Sequence, residues 1–179
     1  MKNKTLRIIL DLVLVIVGIV FLIFGIKDAY NFYKESKIED SIRFKKSYRS
    51  APEDNIYKYV SLKEANEILL EKSGIILLGR TDDPWMQVLV SPLNDIASES
   101  IDEIYYLEMN DIDHPDFELE LEEVTLPYIV IVKEGKVLTE LDKSDIIDAE
   151  YEEAPIEYFD EANTKILKEK LSKITELKN

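Results

Sequence analysis

From Ile8 to Ile26 the chain runs for 19 residues with one charge, Asp11, and from Leu12 onward it carries none. At about 1.5 Å per residue such a helix is roughly 28 Å long, close to the hydrocarbon thickness of a bilayer. The run is apolar on every face, whereas a helix packed on a soluble core keeps a polar stripe. A cleaved leader is the rival reading. It would need small residues before the cut, but Ile26, Lys27 and Asp28 follow Gly25 directly. The run therefore reads as an uncleaved anchor in membrane lipid. Tyr30, Phe32 and Tyr33 just beyond it suit the headgroup level, where aromatic rings gather. The expected division is a cytoplasmic tail at 1–7, a transmembrane helix at 8–26, a juxtamembrane linker at 27–55 and a single soluble domain at 56–179.

Composition narrows what that domain can do. Its formal net charge is -15, from 37 acidic and 22 basic residues, and so acidic a surface repels phosphate backbones. Nucleic acid is therefore not an expected partner. Cysteine is absent, which rules out disulfides, thiolate zinc sites and thiol catalysis. His114 is the single histidine, so one chain cannot build a multi-histidine metal site, and no serine or threonine has a histidine base beside it. The five glycines form no phosphate-cradling loop.

The linker has little apolar pattern after Tyr33. A polar helix is expected at Lys34 to Tyr48, ended by Pro52. Arg43, Lys45, Lys46 and Arg49 form a basic patch that either docks on anionic lipid or is a solvated spacer.

The domain reads as alternating elements. A short strand is expected at Ile56–Val60. Ser61 and Glu64 then form a capping box that opens a helix with Ala65, Ile68 and Leu69 inward, and Ser73-Gly74 stops it. Ile75–Leu78 is continuously apolar, the pattern of a strand buried on both faces. After the loop Gly79–Pro84, a helix from Trp85 to Ser98 should turn Val88, Leu89, Leu93, Ile96 and Ala97 inward, with a kink or break at Pro92. Ile104–Met109 is a third strand, followed by an acidic connection at Asn110–Thr125 that holds a short helix around Phe117–Leu121. Tyr128–Val132, a turn at Glu134-Gly135 and Lys136–Leu141 make a hairpin. A last helix spans Tyr158–Leu177, with Phe159, Ala162, Ile166, Leu167, Leu171 and Ile174 at helical spacing. Helices alternating with strands require an α/β fold, a central mixed sheet flanked by helices on both faces.

This order, with three local signals, resembles the thioredoxin-like superfamily. The signals are an apolar strand entering Gly79-Arg80-Thr81-Asp82-Asp83-Pro84-Trp85-Met86 before a helix, a proline inside that helix at Pro92, and Leu126-Pro127 ahead of the hairpin. The likeness is strongest to membrane-associated thioredoxin-like proteins of Gram-positive bacteria, including bacteriocin transport accessory proteins. It implies a thioredoxin-like fold, a cis-proline at Pro127, and a peptide groove lined by Asp83, Trp85, Met86, Leu126 and Pro127. The departure is chemical: Asp83 and Met86 stand where the family has its two redox cysteines. Disulfide exchange needs a thiolate, so neither a carboxylate nor a thioether can perform it. The resemblance thus implies a binding or accessory module, not an enzyme and with no cofactor, acting on a peptide or protein in export, envelope assembly or immunity. Trp85 either anchors that partner or packs on its own domain.

Orientation divides the indications. Lys27, Lys34, Lys37, Arg43, Lys45 and Lys46 follow the apolar run and outnumber Lys2, Lys4 and Arg7 before it, which by count favours a cytoplasmic domain. The short charged tail and the resemblance favour a domain outside the cell, and that is the expected topology.

Between Asp95 and Glu161, 23 acidic residues face only Lys133, Lys136 and Lys143. The alternative function is therefore a sink for divalent cations or cationic peptides, with weak calcium binding, although no spacing fits an EF-hand. The adjacent carboxylates Asp82-Asp83, Glu122-Glu123 and Glu152-Glu153 do not establish the cleft-spanning pair that hydrolysis requires.

Overall fold

The computed structural model describes residues 2–109, 117, 119, 125–146 and 161–178. The chain divides into two compact units, Met1–Glu39 and Asp40–Asn179. Helix α1 is assigned from Lys2 to Ser47. In the first unit its residues Leu14 to Ile26 are all exposed, including Phe21 and Leu22 at 74% and 66%. The most apolar window has a mean hydropathy of 1.8, and none of it is buried. This exposed apolar helix is consistent with a membrane anchor or a signal sequence.

The second unit is an α/β domain. Its elements are β1 (Tyr57–Tyr59), α2 (Leu62–Glu71), β2 (Gly74–Gly79), α3 (Pro84–Ser98), β3 (Ile104–Glu108), β4 (Tyr128–Lys133), β5 (Lys136–Leu141), α4 (Lys143–Ile146) and α5 (Glu161–Lys170), with a 3-10 helix at Leu171–Lys178. The sheet order is β1-β3-β2-β4-β5. β3 pairs in parallel with both β1 and β2, while β4 runs antiparallel to β2 and β5 antiparallel to β4. This is the expected central mixed sheet flanked by helices.

Local chemistry explains the elements. Ser61 caps α2 through the reciprocal bonds with Glu64. Every residue of β2 is buried, as its unbroken apolar run requires of a central strand. Its odd residues Ile75 and Leu77 join one core and its even residues Ile76 and Leu78 the other. The first core lies under α3, α4, α5 and the 3-10 helix; the second lies under α2. The β4–β5 turn has positive φ at Glu134 (50°) and Gly135 (70°), the form that matches strand twist. A Cβ at Gly135 would stand 2.1 Å from the Leu70 carbonyl oxygen, so only glycine fits where the hairpin meets α2.

Several expectations shift. α3 continues through Pro92 without breaking, and Val88 and Ile96 are half-buried while Trp85, Met86, Val90 and Asn94 join the buried face. The last helix divides into α5 and the 3-10 helix; Leu167, Leu171 and Ile174 are buried but Ile166 is exposed. The acidic connection, including His114, lies outside the described residues except for Phe117, Leu119 and Thr125; Phe117 and Leu119 pack on the second core.

The largest shift concerns the stretch expected to link anchor and domain. Packing begins at Asp40, well before Ile56. Phe44, Tyr48 and Ala51 have no exposed surface. The loop after α1 is tied back by polar bonds. Buried Asn55 donates from Nδ2 to the Ser41 and Pro52 carbonyls at 3.0 and 2.9 Å. Ser41 Oγ donates to the Glu53 carbonyl at 3.0 Å. Lys45 Nζ donates to the Arg49 and Ala51 carbonyls at 2.9 and 2.5 Å, satisfying backbone acceptors beyond the helix end. The Arg43 guanidinium lies 3.7 Å from the centre of the Tyr59 ring. Two of the four basic-patch residues thus serve the packing of this segment.

Candidate functional site

The loop at the C-terminal end of β2 is held by its own side chains. Arg80 donates twice to Asp82, from Nε at 3.0 Å and from the terminal guanidinium at 2.7 Å. The Asp83 N–H donates to the Arg80 carbonyl at 3.1 Å and closes the turn. Asp83 is then the N-cap of α3: its Oδ1 accepts from the Trp85 N–H at 2.8 Å, with Pro84 in the first helical position. Burial raises the Asp83 carboxyl above the ordinary aspartate range, opposed by the Trp85 N–H and by the charge of Lys143.

Trp85 is 5% exposed and Met86 is fully buried. Of the two expectations for Trp85, the ring packs within the first core of its own domain, and Lys143 Nζ lies 5.3 Å from its centre. Met86 packs against the end of β2, where a Cβ on Gly79 would fall 2.5 Å from its sulfur. Gly79 is needed there because the thioether fills the space a side chain would take.

Leu126-Pro127 is a cis peptide, with Leu126 half-buried and Pro127 buried. Lys143 joins this segment to the α3 loop. Its backbone N–H donates to the Thr125 carbonyl at 3.3 Å, while its side chain reaches Trp85 and acts on Asp83. Asp142 orders the first turn of α4, accepting from Ser144 Oγ at 2.6 Å and from the Asp145 N–H at 3.1 Å. Burial works to raise the Asp142 carboxyl, but these hydrogen bonds outweigh it and hold the group below the aspartate range.

A second polar cluster adjoins the same loop. Tyr48 and Tyr106 meet hydroxyl to hydroxyl at 2.6 Å, Tyr106 donates to the Gly79 carbonyl at 3.1 Å, and Thr81 donates to Glu108. Burial raises both phenols, so both are neutral at pH 7. Sequence reading missed Lys143 and the two tyrosines. Lys143 carried a faint signal as one of three bases in the acidic half of the chain.

The site brings together the buried Trp85 and Met86 side chains, the Arg80–Asp82 pair, the helix-capping Asp83 and Lys143. Among the described residues no group of acidic or histidine side chains is arranged to hold a metal ion. Fold and site together define a small α/β domain with a five-stranded mixed sheet flanked by helices, in a chain that also carries a candidate membrane helix. Compared with known protein families the chain matches no family model, and compared with curated proteins it matches none.

Proposed function

We propose that this is a membrane-anchored, redox-inactive thioredoxin-like module that binds an extended peptide or protein segment outside the cell, in export, envelope assembly or immunity. The carrying observation is the pair of substituents at the start of α3. Asp83 caps the helix where a reactive thiolate would enjoy the helix dipole, and Met86 is buried against Gly79. Support comes also from the β1-β3-β2-β4-β5 order and from Leu126-Pro127 entering β4. Lys143 stands between the Thr125 segment and Trp85, so its side chain flanks the path that an incoming segment would take. The apolar anchor and extracytoplasmic placement complete the reading. The cation-sink alternative rests on composition, and its densest stretch lies outside the described residues.

The test is site-specific photocrosslinking in intact cells of the producing organism, with the probe at Leu126 beside the groove or at Lys63 on α2. One discrete adduct from position 126, absent from position 63 and strengthened by Lys143→Ala, is the expected result. Equal crosslinking from both positions, or none from position 126, overturns the reading.

A further inference from the structure

The end of α1 does more than complete a core. Phe44 stacks on Tyr57, with ring centres 3.9 Å apart and planes 15° apart, and meets Tyr106 edge-on at 5.1 Å. Tyr48 also meets Tyr106 edge-on, at 5.8 Å. These rings bring Phe44 and Tyr48 against Tyr57 at the start of β1 and Tyr106 in the middle of β3, whose hydroxyl reaches Gly79 at the end of β2.

The hydroxyl chain has a defined direction. Tyr106 donates its one proton to the Gly79 carbonyl, so at the 2.6 Å contact Tyr48 is the donor and Tyr106 the acceptor. The same Gly79 carbonyl accepts from the Met109 N–H at 2.9 Å. The Thr81 hydroxyl, which donates to Glu108, also neighbours the Tyr48 hydroxyl. On the far side of the loop the segment grips α3: Gln87 Nε2 donates to the Ser47 carbonyl at 3.0 Å, and Ser50 Oγ donates to the Gln87 carbonyl. The α1 end thus holds both flanks of Arg80–Asp83, through Gly79 before the loop and Gln87 after it.

We infer that the segment Asp40–Ala51 is a latch on the candidate site: seated, it fixes the Gly79–Asp83 loop, and withdrawn, it frees that loop while the sheet stays folded. Tyr48 is its positioning residue. The chain between the apolar helix and the sheet is then a control element, through which force or displacement on the anchor changes the site. This goes beyond the binding proposal and holds whatever the groove recognises.

Hydrogen exchange on the full chain in detergent micelles tests the latch, because local opening appears amide by amide. Tyr48→Phe keeps the ring and removes only the hydroxyl. Its expected effect is exchange about ten-fold faster at Arg80–Asp83, the scale of one lost buried hydrogen bond, with β4 amides unchanged. Tyr57→Phe is the control: it removes a bond of similar burial, from Tyr57 to the Val90 carbonyl at 2.7 Å, that does not reach the loop. That variant should leave Arg80–Asp83 at the wild-type rate. Unchanged loop exchange in Tyr48→Phe, or equal acceleration in both variants, overturns the inference.

Discussion

Phe44, on the last turns of α1, stacks nearly parallel on Tyr57 of β1 at 3.9 Å between ring centres. Four aromatic partners surround it: Tyr48, Tyr57, Tyr59 and Tyr106. The end of α1 from Asp40 onward, which buries an aromatic side chain completely, belongs to the domain it precedes.

Phe44→Ala should therefore destabilise the domain as a core deletion does, by about 3–5 kcal/mol, rather than by the few tenths expected in a solvated spacer. Thermal melting of the full chain in detergent micelles, followed by near-ultraviolet circular dichroism, measures it. Ile42→Ala, on the exposed side of the same helix at 51%, should leave the melting temperature nearly unchanged. A Phe44→Ala melt equal to that of Ile42→Ala would return the segment to the role of spacer.

Gly79→Ala is the second prediction. Its Cβ would meet the Met86 sulfur at 2.5 Å and its terminal methyl at 2.7 Å, and Met86 is fully buried, so the side chain has nowhere to swing. The cost should be about 1–3 kcal/mol, the range for an overfilled core. Shortening the thioether with Met86→Val should relieve it. In a double-mutant cycle by chemical denaturation the pair should lose less stability than the sum of the two single changes. Strict additivity would mean that the contact does not limit the packing.

Much of the fold was legible before the structure because its signals are local. The apolar run of Ile75–Leu78, the Ser61–Glu64 box and the Glu134-Gly135 turn each report a backbone state through neighbouring residues, and each stands where expected. The seating of α1 was not legible. Phe44 and Tyr48 are one helical turn apart, but Arg43, Lys45 and Lys46 surround them, and two apolar positions among charges do not define a face. The covering of Trp85 was hidden for another reason. Lys143 is far away in sequence, and only the closing of β5 onto β4 brings it over the ring. Contacts made by one long side chain across the fold leave no periodic trace.

The last prediction concerns pH. Burial raises Asp83 above the ordinary aspartate value of 3.8, against the opposing Trp85 N–H and Lys143, while Asp82 adds to the rise and Arg80 counters it. A carboxyl raised on folding holds its proton more tightly in the folded state than in the unfolded one. Between the two values the folded state binds more protons, so stability falls as pH rises through that window. The contribution of a neutral Asp83 is complete below 3.8 and is lost as pH climbs through the raised folded value. Asn caps a helix about as well as Asp and carries no charge. Asp83→Asn should therefore match the wild type at low pH and exceed it near neutrality, with the gap opening just above the ordinary carboxylate range. Melting both proteins from about pH 3 to 7 isolates this residue, because every other titration is common to the pair and cancels in the difference. A gap that closes as pH rises would mean that Lys143 and the helix end outweigh burial, and that Asp83 is held as a stabilised carboxylate.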